Sequence, residues 1–305
     1  MTADEPPRTG GAGAVRRPPV TIVVPFSGRA AELAQVVTAF RSVVLTSLDA
    51  VAIVDNSPRA LPLPVLPPKI RIVRAGKEGS SYYARNVGAG EAQSEWILFV
   101  DADCIPAENL VDEYFLSALD EYVGAVAGDI VPSPAHGLIG RYAASRRLLD
   151  PYIAFARAFG APVAHTANLL VRKRAFDAVG GFVEGIRSGG DYDFALRLQA
   201  AGWTVRLNLN AAVQHRHRES LGALITQFRR YGGGEPWLHR RHGAPAAWRI
   251  SSRRAARGLL FGAASAARRD WEGVVFGGLD LVAAGAEFIG SFEGNQPSWR
   301  SSSTR

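Results

Sequence analysis

Two carboxylates one residue apart, Asp101 and Asp103, follow directly on the apolar run Trp96-Ile97-Leu98-Phe99-Val100. A short unbroken apolar run reads as a fully buried strand of a parallel sheet. Residues two apart share a face of an extended strand, so both acids project together if that geometry continues past Val100. Adjacent acids repel unless a cation lies between them. A divalent ion carrying a phosphate meets that need, because hard cations take oxygen ligands and keep substrate phosphates as partners. The plain alternative is a turn-capping Asp101 and a solvated Asp103. A second acid, Asp191, follows Ser188-Gly189-Gly190 and opens the helical pattern Tyr192 to Ala201. It fits a helix N-cap, and equally a mobile, partly exposed general base. Asp193 falls in the first helical turn, where it favours the helix dipole. His215 and His217 alternate with Arg216 and Arg218, and either imidazole could meet a metal or phosphate. Asp55 ends another apolar run and suits a nucleotide base or ribose, or an Asx turn. Cys104 is the one cysteine; behind a strand it is small apolar filler rather than a nucleophile.

The elements that must hold these groups follow from hydrophobic spacing. Val20 to Phe26, Ala50 to Val54, Ile70 to Val73 and Trp96 to Val100 read as buried strands. Helical patterns fall over 30–45 and Ser80 to Gln93, and prolines over 58–68 force a loop. This order calls for right-handed crossovers and a parallel sheet with helices on both faces, which binds ligands at its carboxyl edge. Further on, Glu108 to Glu121 reads as an amphipathic helix and Val123 to Gly128 as a strand. Residues 138–159 read as a basic, aromatic helical wall. Ala167 to Val171 is a strand, Arg174 to Phe182 a short helix stopped by glycines, and Trp203 to Val213 a strand. The loop after the first strand lacks G-x-G-x-x-G, and no P-loop occurs, which argues against a dinucleotide dehydrogenase and a P-loop NTPase.

The 305 residues are 47% hydrophobic and 21% charged, ordinary for a globular chain of one to two domains. Residues 1–19 are Pro-, Gly- and Arg-rich without the apolar core of a signal peptide, and are expected to be a disordered lead-in. Net charge is +7, but Arg216 to Arg269 carries twelve arginines against two acids, a local +10 that leaves −3 for the rest. Such a segment points to an anionic partner: substrate phosphate, anionic lipid or nucleic acid. Helical stretches over 255–267 and 273–292 follow. The second contains Asp280 and Glu287 and reads as a helix packed on the protein or lying on a surface, not a span.

Taken in order, the motifs resemble the inverting family-two glycosyltransferases with the A-type nucleotide-sugar-binding fold. They are Thr21-Ile22-Val23-Val24-Pro25, Ile53-Val54-Asp55-Asn56-Ser57, Tyr83-Ala84-Arg85-Asn86-Val87-Gly88 and Phe99-Val100-Asp101-Ala102-Asp103. Beyond them come Asn168 to Arg172, Ala178-Val179-Gly180-Gly181-Phe182, Asp191-Tyr192-Asp193-Phe194 with Leu196-Arg197-Leu198, and Val213-Gln214-His215. The resemblance spans roughly residues 20–243. It implies an α/β fold with a mostly parallel, Rossmann-like sheet flanked by helices. The catalytic domain would occupy 20–243, with a nucleotide-binding half 20–128 and an acceptor half 129–243. A helical C-terminal extension over 244–305 would end in a polar tail.

The resemblance also implies roles. Pro25, Phe26, Ser27, Asp55, Arg85 and Asp101 would hold the nucleotide diphosphate. Asp103, helped by Asp101 and completed by His215 with His217 as substitute, would hold Mg²⁺ or Mn²⁺. Asp191 would be the catalytic base. The donor would be a nucleotide-diphosphate sugar and the acceptor a glycan, a lipid-linked or a small molecule. The basic C-terminal part would meet an anionic membrane surface, with no nucleic-acid partner, in the cytoplasm at the inner face of the membrane. One position departs from the pattern: Gly190 stands where the family has the first acid of a Glu-Asp pair. Rival readings are an inactive nucleotide-sugar-binding or scaffold protein and a nucleotidyltransferase on a similar sheet.

Overall fold

The computed structural model of the protein describes residues 17–135, 137–152, 155 and 161–301. Residues 1–16 of the lead-in expected over 1–19, and residues 153–154 and 156–159 of the wall expected over 138–159, lie outside the described residues. Arg17, assigned by composition to the lead-in, is fixed: its guanidinium pairs with Asp49 at 2.8 Å and Asp112 at 2.6 Å.

Eight strands form one sheet: β1 (Val20–Phe26), β2 (Ala50–Asp55), β3 (Ile70–Arg74), β4 (Trp96–Val100), β5 (Cys104–Pro106), β6 (Val123–Pro132), β7 (Asn168–Arg172) and β8 (Thr204–His215). Their order is β3-β2-β1-β4-β7-β6-β8-β5. The sheet is mixed rather than parallel throughout. β1, β2, β3 and β4 run parallel, but β7 is antiparallel to both β4 and β6, and β5 is antiparallel to β8. The helices are α1 (Ala30–Phe40), α2 (Ser81–Gly90), α3 (Leu110–Glu113), α4 (Leu138–Ser145), α5 (Lys173–Ala178), α6 (Gly190–Ala200), α7 (Leu221–His242), α8 (Ala247–Ala267) and α9 (Trp271–Gly290).

The strand period of two divides the core. Trp96, Leu98 and Val100 of β4 pack with Leu33, Val36, Val37 and Phe40 of α1 on one face. Ile97 and Phe99 pack with Tyr82 and Ala84 of α2, Phe176 of α5 and Phe194 and Leu198 of α6 on the other. A third cluster joins Tyr142 of α4, Leu224 and Phe228 of α7, and Phe276 and Leu279 of α9. There α7 and α9 cross backbone to backbone. A Cβ on Gly232 would lie 1.8 Å from the Glu287 carbonyl oxygen, and one on Gly290 would lie 2.0 Å from that of Arg229.

The helix expected over Glu108 to Glu121 shortens to Leu110–Glu113. Its apolar residues are used as anchors instead. The Tyr114 hydroxyl donates to Asn168 Oδ1 at 2.8 Å, and the Phe115 ring meets the Trp96 ring edge-on. Asp120 then turns the chain into β6 by accepting from the Tyr122 amide. Likewise, the wall expected over 138–159 is not one continuous helix: its first helix ends at Ser145, before a turn at Arg146. Asn168, fully buried, also donates from Nδ2 to the carbonyls of Asp129 (2.9 Å) and Ala211 (2.8 Å), pinning the irregular step between β6 and β8. Asn168→Ala removes three buried hydrogen bonds and is expected to cost about 3 kcal/mol. Urea unfolding reads this as a lower midpoint at constant slope; a loss below about 1 kcal/mol contradicts it.

Candidate active site

A cavity of about 780 Å³ opens at the carboxyl ends of β1 and β4, and Pro25, Phe26, Ser27, Arg85, Asp101 and Asp103 line it. The two acids come together differently from the expected extended strand. After Val100 the chain turns, with the Cys104 amide donating to the Asp101 carbonyl at 3.0 Å. β5 then pairs with β8, setting Cys104 opposite His215, and the Arg216 amide donates to the Asp103 carbonyl at 3.0 Å. That pairing, not strand alternation, brings His215 Nε2 within 3.3 Å of Asp103 Oδ1.

The charges around these groups are paired. Arg85, buried on α2, donates to Asp101 and stacks on the Tyr82 ring at 5.6 Å, while its Nε has no partner among the described residues. Burial works against the charge on Asp103. The hydrogen bond and charge of His215, with Arg218 at 3.6 Å, outweigh it and hold the carboxyl below its ordinary range. His217 turns to a smaller cavity lined by Asp129, Arg147 and Asp150. Burial, then the neighbouring His215, lowers it to about 4. Its ring centre lies 5.0 Å from that of His215, and the charge of Asp103 also acts on it. Cys104 is buried with Sγ 3.6 Å from the Ala167 carbonyl, and burial raises its thiol well above the usual value, as suits filler.

Asp55 is the predicted site residue that is not brought to the cavity lining. Arg74 of β3 approaches one carboxylate oxygen at 3.1 Å, and the Ser57 amide donates to the other at 3.0 Å, which is the Asx-turn geometry.

Asp191 lines the same cavity as Asp101 and Asp103. It is not the helix N-cap. Gly189 holds that place at φ +84°, a left-handed conformation that glycine adopts without strain. α6 begins at Gly190, and Asp191 lies in its first turn with its side chain free of capping. Its Oδ1 accepts from the Tyr82 hydroxyl at 3.3 Å and its own neighbour's amide, Tyr192, at 3.1 Å. Nδ1 of His165 lies 3.5 Å from Oδ2. Burial pushes the Asp191 carboxyl up, but the hydrogen bond and charge of His165, then the charge of Arg85, outweigh it and hold the group ionised below its ordinary range. Asp193 has no such freedom. It is fully buried and takes Arg197 at 2.8 Å, Arg241 at 2.6 Å and His242 at 2.9 Å.

Gly190 has a local cause. A Cβ there would lie 2.9 Å from three atoms of the Tyr82 ring. The ring fills the space an acid would need, and its hydroxyl reaches Asp191.

Several cavity residues were not found from the sequence. Tyr82 shares a helix face with Arg85, three residues on, so spacing could have found it. His165 sits in a loop without periodicity and carries no such signal. Arg230 and Tyr231 of α7 also line the cavity. At its far end Glu235 of α7, Arg254 of α8 and Glu287 of α9 meet. Arg254 grips Glu287 at 3.0 and 3.1 Å, and burial, then the charge of Glu287, pushes Glu235 up to about 9. The C-terminal tail reaches back to the loop before Asp191: Asn295 Oδ1 accepts from the Ser188 amide and Asn295 Nδ2 donates to the Ser188 carbonyl, both at 2.9 Å.

Known proteins are similar to this chain in sequence and in fold. The pre-mycofactocin glycosyltransferase of Mycobacterium tuberculosis is 28% identical over 235 residues, covering 73% of this chain and 48% of its own length. The chain thus spans about half the length of that relative. Glycosyltransferase AglE of Haloferax volcanii is 26% identical over 168 residues, 54% of each chain. Among solved structures, the fold is similar to that of the mannosyltransferase PcManGT from Pyrobaculum calidifontis in complex with GDP-Man and Mn²⁺. Its TM-score is 0.60 at 16% identity, covering 90% of this chain and 88% of that one. S. aureus TarS 1-349 in complex with UDP-GlcNAc has a TM-score of 0.50 at 15% identity, covering 66% of this chain and 59% of that one. The sequence profile of the family described as "Glycosyl transferase family group 2" matches residues 96–272, more than half of the chain, from β4 to the start of α9. With the A-type α/β sheet and its acid-lined carboxyl edge, this protein belongs to the family-two glycosyltransferases.

Proposed function

We propose that the protein is a metal-dependent, inverting glycosyltransferase that moves a sugar from a nucleotide-diphosphate donor to an acceptor hydroxyl. One observation carries this reading. Asp101, Asp103 and the ionised Asp191 line a single cavity at the sheet's carboxyl edge. The nucleotide sugars bound by the similar mannosyltransferase and TarS support the donor class.

The residues present fit a hard divalent cation. Asp103 Oδ1 and His215 Nε2 lie 3.3 Å apart, and such a cation takes one or two protein ligands and completes its shell with substrate phosphates and water. No group of three or more acids, cysteines or histidines converges among the described residues, which fits a site completed by the donor. Bound there, Mg²⁺ or Mn²⁺ would supply charge neutralisation for the diphosphate leaving group. Arg85 and Arg230, both at the cavity wall, would add fixed positive charge. Asp191 would take the proton from the acceptor hydroxyl as that oxygen attacks the anomeric carbon, with Tyr82 and His165 holding its two oxygens. A positioned base contributes about 10²- to 10⁴-fold. The acceptor, a glycan, a lipid-linked or a small molecule, would enter from the side of α7, α8 and α9. The free, buried Cys104 suits a cytoplasmic setting.

A thermal-shift panel of nucleoside diphosphates with and without Mn²⁺ tests the reading, since a ligand of the folded state alone raises its stability. At least one diphosphate is expected to stabilise the protein in a Mn²⁺-dependent way. Stabilisation by none of them refutes the proposal.

The Asp191–His165 contact allows a second reading, in which the imidazole is the base and Asp191 orients it. His165→Gln separates the two. The charge of His165 favours ionised Asp191, so its loss raises the carboxyl's pKa. If Asp191 is the base, turnover at neutral pH stays within about tenfold and its acid limb moves to higher pH. A loss of about a hundredfold at every pH makes His165 the base.

A further inference from the structure

Beyond α9 the chain doubles back across the two loops that lead into α2 and α6. Lys77 to Ser80 precedes Tyr82 and Arg85, and Gly185 to Gly189 precedes Asp191. Neither loop is part of the eight-stranded sheet, so their backbone amides and carbonyls must find partners elsewhere. The segment Asn295 to Ser301 supplies them. Asn295 Oδ1 accepts from the amides of Arg187 (3.2 Å) and Ser188 (2.9 Å), and its Nδ2 donates to the Ser188 carbonyl. The Asn295 carbonyl accepts from the Arg187 amide as well, at 3.1 Å. On the other loop, the Ser298 amide donates to the Gly79 carbonyl at 2.9 Å, and the Gly79 amide donates to the Trp299 carbonyl at 2.8 Å. The Ser301 amide donates to the Lys77 carbonyl at 2.9 Å, so that Glu78 and Arg300 face each other in an antiparallel bridge.

The loops are also tied to each other. Glu78 Oε1 accepts from the Gly185 amide at 2.8 Å, and Ser80 Oγ donates to the Ile186 carbonyl at 2.6 Å. α7 closes the opposite side: a Cβ on Gly234 would lie 2.9 Å from the Ser188 carbonyl carbon, and one on Gly233 would lie 2.6 Å from the Gly294 carbonyl oxygen. Ser188 is thus held between α7 and the tail. Only Gly189, at φ +84°, and Gly190 separate it from Asp191. Two glycines bring no side chain to fix that turn and leave its backbone the widest freedom. The place of Ser188 therefore sets the place of the acid.

We propose that the C-terminal tail positions Asp191: Asn295 on one loop and Ser298 with Trp299 on the other tie the starts of α6 and α2 together and fix the carboxylate against the Tyr82 hydroxyl and His165. Asn295 is a positioning residue, since it does not line the cavity. The catalytic consequence rests on the reading of Asp191 as the base, where a misplacement of about 1 Å costs about 10²-fold. The coupling of tail to carboxylate does not rest on it.

Asp191 is faced by Tyr82 and Arg85 of α2, by His165 and by its neighbour Tyr192. Against burial, His165 and then Arg85 hold its carboxyl below the ordinary range. A carboxylate released by the tail either stays buried without these partners or reaches water, and either change raises its pKa. The ¹³C resonance of its side-chain carboxyl, assigned with Asp191→Asn, follows this in the full chain without any substrate. Asn295→Ala is expected to move the titration to higher pH and to speed amide exchange at Ser188 at least tenfold. Gly79→Ala, whose Cβ would lie 2.3 Å from Ser298 Oγ and 2.4 Å from Trp299 Cδ1, lifts the tail from the other loop and is expected to move the titration the same way. Urea unfolding checks that both variants remain cooperatively folded. An Asp191 titration identical to the parent's in both folded variants overturns the proposal and leaves the tail a stabilising element only. A shifted titration beside undiminished turnover in Asp191→Asn supports the positioning and refutes the base, so the two readings fail separately.

Discussion

Asp191→Asn is expected to lower turnover by about a hundredfold or more while donor affinity and stability stay close to those of the parent. The substitution keeps size and shape. Asparagine still accepts from the Tyr82 hydroxyl and the Tyr192 amide, which Asp191 takes at 3.3 and 3.1 Å. Helix capping is not at stake, because Gly189 is the N-cap. What disappears is the ability to accept a proton. Turnover, donor affinity and unfolding midpoint, measured on one variant, separate a base from a structural acid. Persistent turnover would leave no nearby substitute in Asp193, whose carboxylate is consumed by Arg197, Arg241 and His242.

Asp103→Asn is expected to weaken nucleotide-diphosphate binding in the presence of Mn²⁺ by about tenfold or more, and to erase the difference between binding with and without the ion. The fold should survive. The backbone of residue 103 still accepts from the Arg216 amide, and the β5–β8 pairing that holds the turn does not use the side chain. The asparagine Oδ1 can still accept from His215 Nε2, so the ring keeps a neutral partner there, while its Nδ1 lacks one among the described residues. Isothermal titration with each nucleoside diphosphate, with and without Mn²⁺, reads the effect. Unchanged Mn²⁺-dependent affinity in a folded variant contradicts the assignment.

The nucleotide-side strands were legible because they are buried on both faces. Val20 to Phe26, Ala50 to Asp55 and Trp96 to Val100 are runs that only a double-covered strand uses, and the structure places them side by side. The reversal of β7 was not legible, since Asn168 to Arg172 is as apolar as its neighbours and carries no mark of direction. Asp101, Asp103 and Asp191 could be picked out because each follows a strand or a glycine turn, whereas Arg85 was named only through the family resemblance. His215 joined them through strand pairing across more than a hundred residues, which spacing along the chain does not encode. Asp55 ends its strand as expected, and Arg74 on the next strand pairs with its carboxylate, a partner that spacing along the chain does not reveal. Tyr82 and Gly190 show a different limit. Sequence alone presents Gly190 as a missing acid, whereas packing presents it as the room a tyrosine ring requires. Glu235, Arg254 and Glu287 come from three separate helices, brought together by the close crossings of α7 on α9 at Gly232 and Gly290 and of α8 on α9 at Gly258 and Gly277.

The configuration of the first-formed product tests most directly whether Asp191 serves a single displacement. An α-linked nucleotide-sugar donor that stabilises the protein with Mn²⁺ is turned over with water or an acceptor, and the anomeric proton is followed by NMR before mutarotation sets in. The account predicts that the β anomer appears first, because attack comes from the face opposite the departing diphosphate. An α anomer appearing first requires two displacements through a covalent or tightly held intermediate, and contradicts it.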